Sequence, residues 1–456
     1  MASKPRTILI ATVGGSCAPL LTSIRTHRPD YVYFICSQSP SVVDETGTMR
    51  PGSSSVVDGV GMVYGAGNAS IVAQTGLDLD RYEKLEIDCV DDVQECFAVV
   101  DMAFRRALAR RRKATIIADY TGGTKTMTAA LVRGATGVYA GVCALWVVTG
   151  ARDDLRVVRD GTETVMIQGS ASLVLDDRWH ESLRLVNGFH YGAALAMLDD
   201  MTRQTSITPP LRERAVRLHA LCAGLDAWDR FEFVLARRLL EACQGIDPAL
   251  RDTLVRGVTP LADIQEQRGD VTFSPLASTL PKGLTILLPV YDLVNNARRR
   301  KSQGRYDDAV IRLNRAVELV AQNVLWYRHH IDIDDVDITL VPVTARSKLA
   351  AWRGGYRTTG LVANYALLRE MGDPVARVFF DQYEGGRPVR LGAVVEGRNT
   401  SYLAHGHRAV DSARYDQADA HIAAYLAAIT PLVIPSFVRP RQLPSTLDAA
   451  RFLEIG

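Results

Sequence analysis

The chain has 456 residues, with 53 lysines and arginines against 51 aspartates and glutamates and a formal net charge of +2. This length exceeds that of one ordinary domain, and the 47% of hydrophobic residues is enough to build more than one core. The composition excludes an intrinsically disordered chain. No apolar run approaches the roughly 18–20 residues of a membrane span, and the N-terminus lacks the pattern of a secretory signal. We therefore expect a cytoplasmic protein without a membrane segment.

The cysteines and lysines narrow the chemistry. The seven cysteines are odd in number and contain no Cys-x-x-Cys pair, which argues against a disulfide framework and against a zinc site. We expect buried free thiols and no bound metal. Only seven of the 53 basic residues are lysines, so a lysine in a conspicuous place is more informative than an arginine.

The first part of the chain alternates short apolar runs with helical patterns. Continuous apolar strands of this kind are typical of a parallel sheet that helices cover on both faces. We therefore predict a Rossmann-like α/β domain over residues 1–175. An Asp-Gly turn at 160–161 also predicts a hairpin within residues 155–167. The predicted strands of the parallel sheet lie at residues 7–13, 31–36, 85–90, 114–119 and 143–149.

Helical periodicity dominates after about residue 180. We predict a helical connecting region over residues 176–290 and a second helical domain over residues 291–430. The clearest single helix of this domain is expected over residues 306–326. The tail at 431–456 contains several prolines and is expected to pack as extended chain rather than as helix.

Two glycine-rich turns follow predicted strands, Gly14-Gly15-Ser16 and the turn at residues 121–125. In a doubly wound sheet, ligands bind beyond the carboxyl ends of the strands, so both turns should face one crevice. Glycine lets backbone N–H groups approach a phosphate, the helix that follows adds a favourable dipole, and Lys125 adds a positive charge. The pair of turns therefore predicts an anion-binding site. No Gly-x-Gly-x-x-Gly or P-loop spacing is present, which disfavours a dinucleotide dehydrogenase and a P-loop ATPase.

A second candidate site lies near the C-terminus, where Arg398 is followed by Asn399 and, after five further residues, by His405. Three arginine–histidine pairs with this spacing occur in the chain, so the spacing alone is not specific. This pair stands out because polar residues follow the arginine and glycines bracket the segment. A histidine can shuttle protons near neutral pH and an arginine can brace a phosphate, which suffices for RNA cleavage by the neighbouring 2′-hydroxyl without a metal. A surface imidazole at a capped helix end is the alternative interpretation.

Three stretches together carry a resemblance to a known family: the turn at 119–126, the segment Arg398-Asn399-x5-His405-Gly406, and Gly304-Arg-Tyr-Asp-Asp-Ala-Val310. They resemble the CARF–HEPN ribonucleases of type III CRISPR systems. The resemblance implies an α/β Rossmann-like (CARF) N-terminal domain and an all-α (HEPN) C-terminal domain. It further implies a homodimer that binds a cyclic oligoadenylate as its allosteric activator and cleaves single-stranded RNA in antiviral defence.

The resemblance also implies residue roles. His405 would be the general acid and base, Arg398 would hold the scissile phosphate, and Asn399 would orient one of them. The activator takes the place of a cofactor, and no metal is implied. Degradation of the activator in its own pocket is left open. The implied activator pocket consists of Gly14, Gly15, Ser16, Ser37, Thr121, Gly122, Gly123, Thr124 and Lys125.

Two other functional classes remain open on the sequence. The same N-terminal pocket could serve a non-catalytic sensor whose helical half is a scaffold. A helix-turn-helix within residues 180–260 would instead make a ligand-controlled transcriptional regulator. The sequence leaves the ring size of the activator and the base preference toward RNA undetermined.

Overall fold

The structure is a computed structural model, and its contacts divide the chain into two compact units. The N-terminal unit comprises Met1–Arg178 with Gln204–Leu211, and the C-terminal unit comprises Trp179–Arg203 with Arg212–Gly456. The domain boundaries expected at residues 175, 290 and 430 stay predictions. The structure describes residues 7–38, 42–43, 49–63, 69–110, 114–150, 152–153, 157–158, 164–168, 171–205, 207–269, 280–352, 355–358, 360–382, 399, 401–403 and 406–452.

A six-stranded sheet forms the centre of the N-terminal unit. Its strand order is β10-β7-β6-β1-β2-β5, and all neighbours are parallel except the edge strand β10, which runs antiparallel to β7. This arrangement confirms the predicted Rossmann-like α/β fold. The strands of the sheet are β1 (Thr7–Thr12), β2 (Tyr31–Ser37), β5 (Tyr82–Ile87), β6 (Thr115–Asp119), β7 (Cys143–Thr149) and β10 (Thr164–Gln168).

The Asp-Gly turn of the predicted hairpin lies outside the described residues, and the described strands that flank it pair with other strands. β10 pairs with β7 over five residues, and β9 (Val157–Val158) pairs with β8 (Arg152–Asp153). A further two-residue ladder joins β3 (Val42–Val43) to β4 (Met49–Arg50).

Helices cover both faces of the sheet, as expected. Ile8 and Ile10 of β1 point into one core with α4 and α5, whereas Leu9 and Ala11 point into a second core with α1, α2 and α3. Because both faces are buried, the strands read as continuous apolar runs. These helices are α1 (Ala18–His27), α2 (Ser54–Asp58), α3 (Ile71–Thr75), α4 (Val93–Arg110) and α5 (Lys125–Thr136).

The C-terminal unit is helical apart from the short antiparallel pair β11 (Ala350–Trp352) and β12 (Gly355–Arg357), which confirms the predicted all-α class. α12 (Tyr306–His329) lies in the middle of its core, and Leu313, Val317 and Val324 are buried at helical spacing. The other helices, including α6 at the boundary between the units, are α6 (Ala171–Asn187), α7 (Tyr191–Arg203), α8 (Pro209–Asp229), α9 (Phe233–Ala242), α10 (Pro248–Gly269), α11 (Lys282–Ser302), α13 (Leu361–Glu370), α14 (Pro374–Asp381) and α15 (Ser412–Val433).

The tail expected to be extended from residue 431 begins with the end of a helix. α15 runs through Pro431 and ends at Val433. Proline lacks an N–H and disturbs the preceding turn, and the helix ends two residues after it. Among the described helices, none is long and apolar enough to cross a membrane.

A polar cluster is buried inside the C-terminal unit. The Trp228 Nε1–H donates to Asp292 Oδ1 at 2.9 Å, while no residue that the structure describes bonds to Asp292 Oδ2. Nearby, Arg299 donates to Asp229 at 2.7 Å, and both side chains are at least nine-tenths buried. Burial raises the pKa of the Asp292 carboxyl to about 6, and the positive charge of Arg299 opposes that shift. A carboxyl with this pKa changes charge within an accessible pH range.

Candidate functional site

A pocket of about 250 Å³ lies at the carboxyl edge of the parallel sheet. The segments after β1, β2, β5 and β6 all contribute to its wall, as expected for a doubly wound sheet. Five of the predicted ligand-binding residues line it: Gly14, Gly15, Ser37, Gly123 and Thr124.

The glycine turns after β1 and β6 touch each other through their backbones. A Cβ on Gly122 would lie 2.6 Å from the Thr12 carbonyl oxygen and 2.8 Å from the Gly14 nitrogen. Gly123 has a φ of +92°, a backbone conformation that residues with a side chain rarely adopt. Thr12 Oγ1 also donates to the Gly122 carbonyl oxygen at 2.5 Å. Glycine is therefore required here for close backbone approach and for positive φ.

A buried carboxylate orients the turn after β6. Asp119 is fully buried, and its Oδ1 accepts hydrogen bonds from the N–H of Thr121, at 2.9 Å, and from the Thr121 hydroxyl. Thr121 Oγ1 in turn accepts from the N–H of Val148 on β7 at 2.7 Å. Asp119 Oδ2 has no hydrogen-bond partner among the described residues. Thr121 therefore fixes the turn to two strands and is not part of the pocket lining.

The start of α5 gives the pocket its electrostatic character. Thr124 caps this helix by accepting from the Met127 N–H at 3.2 Å, and its hydroxyl donates to the Val90 carbonyl oxygen at 3.2 Å. The unpaired N–H groups of a helix N-terminus carry a partial positive charge that favours anions. Lys125 is the first residue of α5 and is exposed, outside the residues that line the pocket. The pocket thus includes the N-terminus of α5 in its wall, with a lysine charge on the same helix end.

Ser16 also stands outside the lining: its hydroxyl accepts from the Ala18 N–H at 3.4 Å, and its backbone pairs with Met62. Ser37 is fixed by a reciprocal pair of bonds, because each serine of the Ser37–Ser53 pair donates its N–H to the other's hydroxyl at 2.8 Å. Beside it, burial raises the pKa of the Cys36 thiol to about 12. That thiol therefore stays neutral and unreactive near neutral pH.

Sequence reasoning missed Val63 and two segments of the wall that carry polar side chains. Asp88 and Val90 follow β5, where the rule for strand ends would have found them. Gly52 and Ser53 come from the segment before α2 and carry no motif. A Cβ on Gly52 would lie 1.9 Å from the Gln38 carbonyl oxygen, so this glycine lets the segment pack on the end of β2. The exposed Asp88 supplies a carboxylate to the lining.

The candidate catalytic segment is described only in part. Arg398 and His405 lie outside the described residues, whereas Asn399 is described and exposed. Ser401 is fully buried, and its hydroxyl donates to Asp307 Oδ1 at 2.6 Å. The described residues on either side of position 405 are therefore attached to the first turn of α12. Within the described part of the chain, no group of three or more His, Cys, Asp or Glu side chains could hold a metal ion.

Comparisons with known proteins address the C-terminal unit first. Residues 279–428 match the family model described as the Csm6 HEPN domain. The chain is also similar to a solved structure described as Enterococcus italicus Csm6 bound to cyclic hexa-2'-fluoro-hexa-dAMP, with 13% identity, 95% of each chain covered and a TM-score of 0.47. No curated protein matches the chain. The family-model match, together with the Rossmann-like sheet, confirms the resemblance to the CARF–HEPN proteins of type III CRISPR systems, and residues 279–428 are the part of this chain that matches the Csm6 HEPN domain.

Proposed function

We propose that the chain is an endoribonuclease that a cyclic oligoadenylate activates and that cleaves single-stranded RNA without a metal. The match of residues 279–428 to the Csm6 HEPN domain carries the proposal, because ribonuclease activity is what this family implies. The glycine-lined pocket supports the activator part, since backbone donors and a helix N-terminus suit the phosphates of a cyclic oligonucleotide.

The proposed reaction uses the chain's own side chains. His405 removes the proton from the RNA 2′-hydroxyl, and the resulting oxygen attacks the adjacent phosphorus. The bond to the 5′-oxygen breaks, the leaving oxygen takes a proton from the imidazolium of His405, and a 2′,3′-cyclic phosphate and a 5′-hydroxyl result. Arg398 balances the negative charge that builds up on the phosphate, and Asn399 orients one of the two. No step needs a metal ion.

A homodimer fits both halves of this proposal. A ring of identical nucleotides can have two-fold symmetry, and a two-fold dimer offers it two equivalent pockets. The same symmetry would bring two copies of the Arg398/His405 segment into one composite site. Activation then requires that the ring bind the active arrangement of the dimer more tightly than the inactive one.

A cleavage assay tests the proposal directly. Purified protein is incubated with fluorogenic single-stranded RNA and with cyclic tetra-adenylate or hexa-adenylate, and each reaction is run with and without EDTA. We expect one ring to accelerate cleavage by far more than tenfold and EDTA to change nothing. No acceleration by any ring would refute the activator, and loss of activity in EDTA would refute metal independence.

The role of His405 has a matched control in the same segment. His405→Ala is expected to abolish cleavage, whereas His407→Ala, which changes an exposed histidine two residues away, should retain it. Binding of the labelled ring should be the same in both variants, because the glycine pocket belongs to the other unit. If His405→Ala cleaves RNA as fast as His407→Ala does, and both are active, then His405 has no part in the mechanism. Linear products from the ring in the His405→Ala variant would show that the N-terminal unit also degrades its activator.

A further inference from the structure

One carboxylate bonds to residues on both sides of position 405. Asp307 stands in the first turn of α12. Its Oδ1 accepts the hydroxyl of Ser401 at 2.6 Å, and its Oδ2 accepts the backbone N–H of Val410 at 3.2 Å. The sequence between these two anchors includes His405.

The Ser401 hydroxyl is buried, and it both donates and accepts a hydrogen bond. Ser401 is inaccessible to solvent, and its Oγ, besides donating to Asp307, accepts the N–H of Leu403 at 3.1 Å. Its carbonyl oxygen accepts the N–H of Gly406 at 3.0 Å. The hydroxyl therefore couples the carboxylate to a local turn, and losing the carboxylate would leave a buried donor without its partner.

The carboxylate is attached to a rigid element. Ala309 and Val310, the residues that follow in α12, are buried in the core of the unit. The adjacent Asp308 has a different role, since it forms ion pairs with Arg305 and with Arg312 on the same helix. Of these two neighbouring aspartates, Asp307 bonds to described residues on either side of position 405, and Asp308 bonds to arginines.

We propose that Asp307 is a positioning residue for RNA cleavage, which it serves by fixing Ser401 and Val410, the two bonded residues before and after position 405 in the sequence. This inference rests on the proposed function of His405. Residue 405 is four positions from Ser401 along the chain, so its Cα can lie at most about 14 Å from the Cα of Ser401. Holding Ser401 in place therefore limits where the imidazole of His405 can be. A misplacement of about 1 Å in a catalytic group typically costs about 100-fold in rate.

The expected effect differs between substitutions. Asp307→Ala removes both bonds and should lower kcat about 100-fold, with KM nearly unchanged because Asp307 holds the chain and not the RNA. Asp307→Asn should retain more activity than the alanine variant. Its amide oxygen can accept the Val410 N–H while its amide nitrogen donates to Ser401 Oγ. Ser401→Ala should resemble Asp307→Ala.

The test compares kcat and KM of Asp307→Ala, Asp307→Asn and Ser401→Ala with those of Asp308→Ala, well below the melting temperature of each variant. Asp308→Ala removes the same charge from the same helical turn and should stay near the wild-type kcat. The double variant Asp307→Ala/Ser401→Ala should be no slower than the slower single variant, because both changes break the same link. Equal kcat for Asp307→Ala and Asp308→Ala would overturn the inference, as would additive losses in the double variant.

Hydrogen exchange separates this inference from the proposed function. In wild-type protein the amides of Leu403 and Val410 should exchange slowly, and in Asp307→Ala the Val410 amide should exchange at least tenfold faster. Unchanged exchange would overturn the anchoring, whatever the activity. Wild-type protein that no cyclic oligoadenylate activates would refute the proposed function, and the exchange rates would still decide whether Asp307 holds the segment. If Asp307→Ala does not fold, Asp307→Asn and Ser401→Ala decide the question.

Discussion

Gly122 offers the sharpest test of the N-terminal pocket, because it packs directly against the backbone of Thr12 and of Gly14. In Gly122→Ala, the new methyl group would stand 2.6 Å from the Thr12 carbonyl oxygen and 2.8 Å from the Gly14 nitrogen. Optimal contacts between nonbonded heavy atoms are about 3.5–4.0 Å. Neither neighbour is the end of a flexible side chain, so the turn after β6 must move away from the end of β1.

The cost follows from the contacts that this movement breaks. Overpacking of a tight site costs about 1–3 kcal/mol, and losing the bond between Thr12 Oγ1 and the Gly122 carbonyl adds about 1 kcal/mol. The total is about 2–4 kcal/mol. If ligand binding bears all of it, the dissociation constant of a cyclic oligoadenylate rises between about 30-fold and 700-fold. If folding bears it, the free energy of unfolding falls by the same amount.

Both quantities are measurable on one protein preparation, by calorimetric titration with the ring and by urea unfolding. Gly141→Ala is the control, because at Gly141, whose φ is +77°, no described atom lies within 4 Å of the new methyl group, and Gly141 does not line the pocket. It should cost about 1 kcal/mol of stability and leave ring binding unchanged. Wild-type binding and wild-type stability in Gly122→Ala would refute the argument that backbone contact shapes this pocket.

Two further substitutions test buried polar groups. Thr121→Val keeps the shape of the side chain but removes the hydroxyl that links Asp119 to β7, and should lower the free energy of unfolding by about 1–3 kcal/mol in urea titrations. An unchanged stability would show that the link contributes nothing. Asp292→Asn tests the carboxyl whose pKa burial raises to about 6, from an ordinary value of about 4. Between these values the folded state keeps a proton that the unfolded state has lost, so stability falls as the pH rises through this window, by up to about 3 kcal/mol. The asparagine variant should lose this part of the pH dependence, and a difference from wild type that is constant between pH 4 and 7 would contradict it.

The sequence predicted the central strands well because burial on both faces leaves a continuous apolar run. The predicted runs at 7–13 and 114–119 match β1 and β6 to within one residue at each end. The run predicted at 85–90 corresponds to β5, which begins at Tyr82. β5 is an edge strand whose early residues include Glu83 and Lys84, so apolar continuity does not mark its start.

The pocket was predictable where strands end and unpredictable where a distant segment joins it. The turns after β1 and β6 are visible as glycines that follow apolar runs. Ser53, by contrast, reaches the pocket through its bonds to Ser37, sixteen residues earlier, and nothing local marks that contact. Local sequence therefore reveals the glycine turns of the pocket but not the segment that contributes Ser53.

In each unit, an aspartate at the end or start of a regular element holds the loop that carries the candidate site. Asp119 is the last residue of β6 and accepts a hydrogen bond from Thr121 in the glycine turn. Asp307 lies in the first turn of α12 and accepts hydrogen bonds from Ser401 and Val410, before and after position 405. Irregular backbone has few internal hydrogen bonds, so a carboxylate that accepts N–H and O–H groups supplies the order that secondary structure would otherwise give. Sequence patterns highlight glycine and histidine because those residues are unusual in place or number. An aspartate at the end of a strand or in the first turn of a helix is ordinary, and its role becomes visible only when its hydrogen-bond partners are known. Substitutions at these two aspartates should therefore separate the order of each loop from the chemistry that it carries.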